Sequence, residues 1–535
     1  MLSSALITLL PLLASLPFTL GLDNNSARSA SVYQVITDRF ARPSSVSSTC
    51  NASDRKYCGG TYSALIEKLD YIKGMGFDTV WISPIVENIG GTTGLGEAYH
   101  GYWTLDADKT NDNFGTADDL KSLSTALHNK GMYLMVDVVV NHVAATSGGS
   151  FTPNADYGPF SSSDNYHKFC WIENYNNQTN VEQCWLGDDQ VALVDLATDT
   201  DTVKNYWNNW VKELVSNYTL DSVRIDTVKH VQKDFFPNFV SSAGVFIQGE
   251  VLNGDASYVG AYQKDAQVNP FNYPAYYPLV RGFNQTSGDL TELVEMVSTI
   301  KSNFNDPTLL GNFLNNHDNP RFESTVTDLS LIKNAHAYPF VTDGIPYGYY
   351  GSEAGFTGGE DPANREPLWS SNYDTSSTMY QYFASLNSAR KAAGNASDTF
   401  YTNQMTVSPL SSSSILIAKS PLISVLSNSG SSASDASVTV QSSASGWSGN
   451  TEVIDAISCE TLTTDGSGNL AVTVKGGLPR VFIASSQKGS VCSGSSTNSS
   501  SGGSSNSNSG AMRLDGRGWI VGAVGAVLGG MMLAL

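Results

Sequence analysis

Short apolar runs bounded by polar residues recur from residue 32 to about residue 350. Val32–Phe40, Phe77–Ile82 and Met132–Val140 have this form, and further runs lie near Asp221, Val245, Phe271, Leu309 and Gly344. Unbroken apolar stretches of this length suit strands buried on both faces, as in parallel sheets. Between the first two runs, Tyr62, Leu65, Ile66, Leu69 and Ile72 recur at helical spacing. Thr116-Ala-Asp-Asp119 is a capping box that opens a helix, and Gly131 marks its end. Strand and helix therefore alternate, which predicts a parallel sheet. The eight strand signals predict a (β/α)8 TIM barrel over residues 23–398.

The alternation pauses over residues 144–198, which are polar, aromatic and without a clear period, so a small subdomain is expected there, inserted after strand three. Over residues 399–492 the pattern becomes short strands between Ser/Gly-rich turns: Ser414–Ala418, Ile423–Leu426, Ser437–Gln441 and Asn469–Val474. These predict a separate C-terminal antiparallel β-sandwich.

The two ends carry processing signals. Residues 1–22 are apolar and without acid, which fits a secretory signal peptide, although no Lys or Arg precedes the apolar run. Residues 493–510 are nearly pure Ser, Gly and Asn and read as a stalk. Residues 511–535 then give a short basic spacer and an apolar tail. That order matches a removable GPI-anchor signal, with Asn508 or Ser509 as the attachment site. A C-terminal membrane helix is the alternative, for which the tail is short and Gly-rich. The expected location is the cell surface, on the plasma membrane or transferred to the wall.

The six cysteines of a secreted chain favour disulfides. Pairing of sequence neighbours is expected, Cys50–Cys58, Cys170–Cys184 and Cys459–Cys492, because each pair falls within one proposed subdomain. Sequons at Asn51, Asn177, Asn217, Asn284 and Asn395 agree with a secretory route. A formal charge of −20 argues against a nucleic-acid partner. The 25 Tyr and 9 Trp leave room for sugar stacking. Nothing indicates an oligomer, so a monomer is the default.

Three runs end on an acid: DSVRID on Asp226, VFIQGE on Glu250 and LLGNFLNNHD on Asp318. C-terminal strand ends of a parallel barrel face one active-site mouth. Carboxylates gathered there raise one another's pKa. One ionised and one protonated carboxyl are what glycosidic cleavage requires.

The strings DVVVNH (137–142), DSVRIDTVKH (221–230), GEVLNG (249–254) and FLNNHDNPRF (313–322) occur in order. Together they resemble the four signature regions of the α-amylase family of glycoside hydrolases. CGGTY, GMGFDTVWISPI, AYHGYW, GTADDL, GMYLMVDVVV and DPANRE add a likeness to secreted fungal α-amylases, and relatives of GPI-anchored type are known. The resemblance covers residues 31–492. It implies a retaining mechanism on internal α-1,4-glucosidic bonds of α-glucan or maltooligosaccharide. Asp226 would be the nucleophile, Glu250 the acid/base and Asp318 the transition-state carboxylate. It further implies substrate contacts from Tyr102, Trp103, His142, Arg224, Lys229, Gly254, His317, Asp361 and Arg365. Arg365 could equally be an ion-pair partner that only orients Asp361. Asn141, Glu182, Asp195 and His230, the last through its carbonyl, match a structural calcium site of oxygen ligands.

The chain departs from that pattern at Leu314-Asn315, where Val-Glu is usual, at Asn253, where Asp is common, and in GIPYGYYGSEAGF. These positions fall on the rim, where water and an acceptor sugar compete. The hydrolase reading therefore stands beside a 4-α-glucanotransferase that remodels wall glucan. A catalytically inactive glucan-binding protein is a third reading, which the three acids oppose.

Overall fold

The computed structural model describes residues 21–493. Eight parallel strands form the barrel: β1 Val32–Gln34, β2 Thr79–Ile82, β3 Tyr133–Val138, β4 Ser222–Ile225, β5 Phe246–Gly249, β6 Asn269–Pro270, β7 Gly311–Asn312 and β8 Ile345–Tyr349. Their order is β6-β5-β4-β3-β2-β1-β8-β7. A parallel bridge from Phe271 to Gly311 joins the two ends and closes the ring. The period of two decides what each strand offers. Val80, Ile82, Leu134, Val136, Val138, Val223 and Ile225 belong to the large core shared with the surrounding helices. Trp81, Met135, Phe271, Ile345 and Tyr347 belong to the inner cluster. Asp137 and Arg224, in register with each other, stand on the same inner face.

Several sequence boundaries shift. The run Val32–Phe40 is strand only to Gln34, and Thr37–Phe40 is a short helix. Its Asp38 accepts from the backbone of Cys58 and Gly59 and pairs with Arg39 at 2.8 Å, which turns the chain away from the sheet. The predicted helix is found at Ala117–Asn129, with the Thr116/Asp119 capping box formed. The inserted subdomain begins at His142 rather than 144, because His142–Ala145 pairs with Ala192–Asp195 in a three-stranded sheet. Leu22, placed by sequence at the end of the leader, is packed in the barrel floor. Its N–H donates to Asp221 O at 2.8 Å and its carbonyl accepts from Phe246 N, so the folded body begins before Asp23. Most of the leader, the stalk after Ser493 and the anchor signal, with Asn508 and Ser509, lie outside the described residues.

The C-terminal domain is a six-stranded antiparallel sheet facing a two-stranded one, Ala436–Val440 with Leu470–Val474. Leu416, Val425, Val440, Leu470 and Phe482 fill the space between them. The sandwich is not separate from the barrel. Ser414–Lys419 and Leu422–Ser427 are buried along their whole length. The other face of the sheet, including Ile415, Ile417, Leu422, Leu426 and Val481, enters the barrel's own core. Lys419 Nζ meets Asp343 Oδ1 at 2.7 Å in the same interface. The three disulfides join sequence neighbours as expected. Near the last of them, Ser490 Oγ lies 3.5 Å from Ser388 Oγ. That stretch of helix Thr378–Ala396 sits at the lower rim of the barrel, where Arg390 donates to Gly344 O, just ahead of β8. Asn51, Asn177, Asn217, Asn284 and Asn395 are all exposed.

Candidate active site

Alternation along β4 aims Arg224 and Asp226 to the same side, into the barrel mouth. Arg224 is buried and gathers carboxylates from three neighbouring strands. Its Nη1 donates to Asp226 Oδ1 at 2.6 Å and to both oxygens of Asp137, on β3, at 3.0 and 3.1 Å. Its Nη2 donates to Glu250 Oε2, just past β5, at 3.1 Å. The Thr227 N–H adds a second donor to that oxygen at 3.0 Å. Asp318 follows β7 on the facing side. Its Oδ1 lies 3.4 Å from His317 Nε2 and 3.7 Å from Arg365 Nη2. None of these three buried atoms has a hydrogen-bond partner among the described residues. Buried polar atoms are ordinarily satisfied, so a converging set of open ones marks a place for ligand hydroxyls. Asp318 and His317 share a cavity with Trp81, Tyr273, Phe313 and Asn316.

Burial sets the protonation pattern. It pushes Glu250 up; Arg224 pulls it back, and Asp226 adds to the rise. Burial, then Glu250, pushes Asp318 well above the carboxylate range. Burial takes Asp137 up to about 7 against the pull of Arg224. Burial, with Arg365 and Arg224, holds His317 well down, so its imidazole is neutral. Gln34 Nε2 lies 2.5 Å from His317 Nδ1. An amide N–H can only donate, so Nδ1 accepts and Nε2 carries the proton toward the cavity. The site thus offers one ion-paired carboxylate, Asp226, beside a carboxyl biased to keep its proton, Glu250.

The remaining residues singled out by sequence divide. Arg365 forms the ion pair considered for it and more: Nη1 meets Asp361 Oδ1 at 2.9 Å, while Nε donates to the His317 carbonyl and Nη2 faces Asp318. Lys229 Nζ donates to Leu252 O at 3.1 Å and lies 4.8 Å from the Tyr175 ring centre. Gly254 is exposed, and a side chain there would meet Tyr277. Tyr102 lies parallel to His317 at 5.3 Å, and its hydroxyl donates to Asp137 at 2.7 Å, which leaves its lone pair to accept. His142 Nε2 is engaged by the Tyr102 carbonyl at 3.1 Å. Trp103 is packed with Ala98, Leu186, Val191 and Leu193 instead of forming an open platform, because it seals the inserted subdomain against the barrel.

Of the four proposed calcium ligands, three converge. One amide position of Asn141 lies 3.2 Å from Asp195 Oδ1 and 3.0 Å from the His230 carbonyl. With nitrogen there, Asn141 donates to both. With oxygen there, three oxygens face one another, which requires a cation between them. Such a donor set fits a hard cation. The Glu182 carboxylate accepts from Gln178 and its carbonyl from Gln232. Among the described residues no hydrogen bond joins it to the other three.

Sequence reasoning missed Gln34, Asp137, Trp81, Tyr273 and Tyr175. Asp137 lay inside a quoted motif, and its inward phase on β3 was the available signal. Gln34 was the one polar residue in the run VYQVI. Neither position announces its partner. Asn315, where Glu is usual, bonds Glu323 at 2.8 Å and Ser352 at 3.0 Å, and Glu323 in turn meets His336. A carboxylate absent from the strand end is thus supplied from eight residues downstream.

A parallel barrel whose mouth holds an ion-paired carboxylate, a proton-retaining carboxyl and open hydroxyl partners defines a glycoside-cleaving enzyme. A family model described as "Alpha amylase, catalytic domain" matches residues 34–244 and 237–405, and one for "Alpha-amylase, domain C" matches 399–500. Alpha-amylase 1 of Lipomyces kononenkoae is 51% identical over 86% of this chain and 74% of its own. Alpha-amylase 2 of Schwanniomyces occidentalis is 47% identical, over 86% and 90%. Among solved structures, an α-amylase from Malbranchea cinnamomea superposes with TM-score 0.85 at 42% identity, covering 88% of this chain and 99% of that one. An α-amylase from Geobacillus thermoleovorans, complexed with acarbose, gives 0.72 at 26%, over 85% and 98%. The chain belongs to the α-amylase family of glycoside hydrolases. Its activity is that of an α-amylase, the cleavage of internal α-1,4-glucosidic bonds.

Proposed function

We propose that this enzyme cleaves α-1,4-glucan with retention, through a covalent glycosyl-enzyme on Asp226. One observation carries the reading: a single guanidinium, Arg224, spans Asp226 and Glu250. That bridge is compatible with the roughly 5–5.5 Å carboxyl spacing of retaining enzymes. Asp226, kept as a nucleophile by its ion pair, attacks the anomeric carbon while Glu250 gives its proton to the departing oxygen. Glu250 then takes a proton from water, which opens the glycosyl-enzyme. Asp318, His317 Nε2–H and Arg365 hold the hydroxyls of the reacting sugar. A calcium ion, held by Asn141, Asp195 and the His230 carbonyl, would supply charge that ties the inserted subdomain to the segment after β4. The secretory leader, N-linked glycans and the GPI anchor belong to the same reading, with the enzyme at the cell surface.

Residues 21–493 with calcium and a defined maltooligosaccharide test it. Proton NMR should show α-anomeric product first, with shorter sugars and rising reducing ends. First appearance of the β-anomer would overturn retention. Products longer than the substrate, with few new reducing ends, would make the enzyme a glucanotransferase.

A further inference from the structure

We propose that Asn177 carries an N-linked glycan that stands at the acceptor end of the cleft and limits how much glucan binds there. The proposal rests on the secretory route given above. In such a step the Asn177 Nδ2 displaces the diphosphate of a lipid-linked oligosaccharide: a C–N bond forms, a C–O bond breaks and one amide proton leaves. Asn177 is exposed and caps the helix Gln178–Gln183, its side-chain oxygen accepting from Asn180 N at 3.4 Å. The cap uses the oxygen only, so the nitrogen stays available. Residues on either side of Asn177 touch Lys229, one at its ammonium and one at its backbone carbonyl. The exposed Tyr175 ring lies 4.8 Å from Lys229 Nζ, and Gln178 Nε2 donates to the Lys229 carbonyl at 3.0 Å. Lys229 Nζ donates to Leu252 O, two residues past Glu250. Glu250 protonates the leaving oxygen, so the departing chain lies on this side. A glycan on Asn177 therefore overhangs the path of a long acceptor, whereas a sugar that ends at the first acceptor position stays beneath it. Asn284 and Asn395 follow or end helices elsewhere on the barrel and serve as internal controls.

The test uses the full chain secreted from a glycosylating host. Peptide mass spectrometry reads occupancy at each sequon. Thr179→Ala removes the sequon and leaves the Asn177 cap in place, since Thr179 is exposed. It should raise kcat/KM on amylose by about threefold and leave a short chromogenic maltooligoside unchanged. Enzymatic removal of glycans should give the same change in wild type and none in Thr179→Ala. The proposal is overturned if Asn177 is bare while other sequons are occupied, or if it is occupied and the amylose-to-oligoside ratio does not move. Bare asparagines at every sequon would overturn the secretory reading as well.

Discussion

Gln34 is the sharpest place to test how the site is oriented. Replacing it with Met removes the only donor to His317 Nδ1 among the described residues while nearly keeping volume, in a residue buried on β1. His317 then gains nothing from carrying its proton on Nε2. In the other tautomer a lone pair faces Asp318 Oδ1, 3.4 Å away, and the donor to the sugar is lost. A hydrogen bond to a charged or polarised partner is worth roughly 1.5–3 kcal/mol. Since 1.36 kcal/mol is tenfold, kcat/KM on maltooligosaccharide should fall by about 10- to 150-fold. The assay is a double-mutant cycle of Gln34→Met, His317→Ala and the pair. If Gln34 acts through His317, Gln34→Met costs almost nothing in the His317→Ala background. A penalty of equal size in both backgrounds would refute the tautomer argument, as would wild-type kcat/KM in a folded Gln34→Met enzyme.

Glu250→Gln keeps an oxygen for the Thr227 N–H, so the fold should survive while starch hydrolysis drops about 10²- to 10⁴-fold. A maltosyl fluoride, whose leaving group needs no proton, should still glycosylate the variant quickly; equal losses on both substrates would remove the acid/base assignment. The alkaline limb of kcat/KM reports the Glu250 proton, which burial holds to higher pH and Lys229 pulls down. A carboxyl with a raised pKa supplies its proton below that pKa and loses it as pH rises through it. Lys229→Met should therefore move the alkaline limb upward; a downward shift would contradict the assignment. Chelation should lower the melting temperature, by loss of the ion between Asn141, Asp195 and His230, and an unchanged value after verified calcium removal would count against the site.

The barrel was legible because its strands are apolar on both faces and stand in chain order, and the acids were legible because they close those strands. What stayed hidden joins residues far apart in sequence. Gln34 and His317 are 283 positions apart, and no local period relates them. The docking of the C-terminal sheet was hidden for another reason. Ile415 and Ile417 alternate with Leu416 and Ala418, so both faces are apolar, and the pattern alone does not say whether the second face meets a sister sheet or a barrel. Trp103 shows the limit of transferring roles by motif. It lies where HGYW predicts, but its ring is packed into the inserted subdomain's apolar cluster.

The contact between Ser490 and Ser388 has a mechanical meaning. Chain that continues past Cys492 departs near the lower rim of the barrel, at the opposite end from Asp226, Glu250 and Asp318. A pull on that end is received first by the Cys459–Cys492 crosslink and the sheet beneath it. The catalytic mouth stays outside the line of tension, so a tether at that end, as the proposed anchor would provide, would leave the cleft facing a polymer that approaches from the other side.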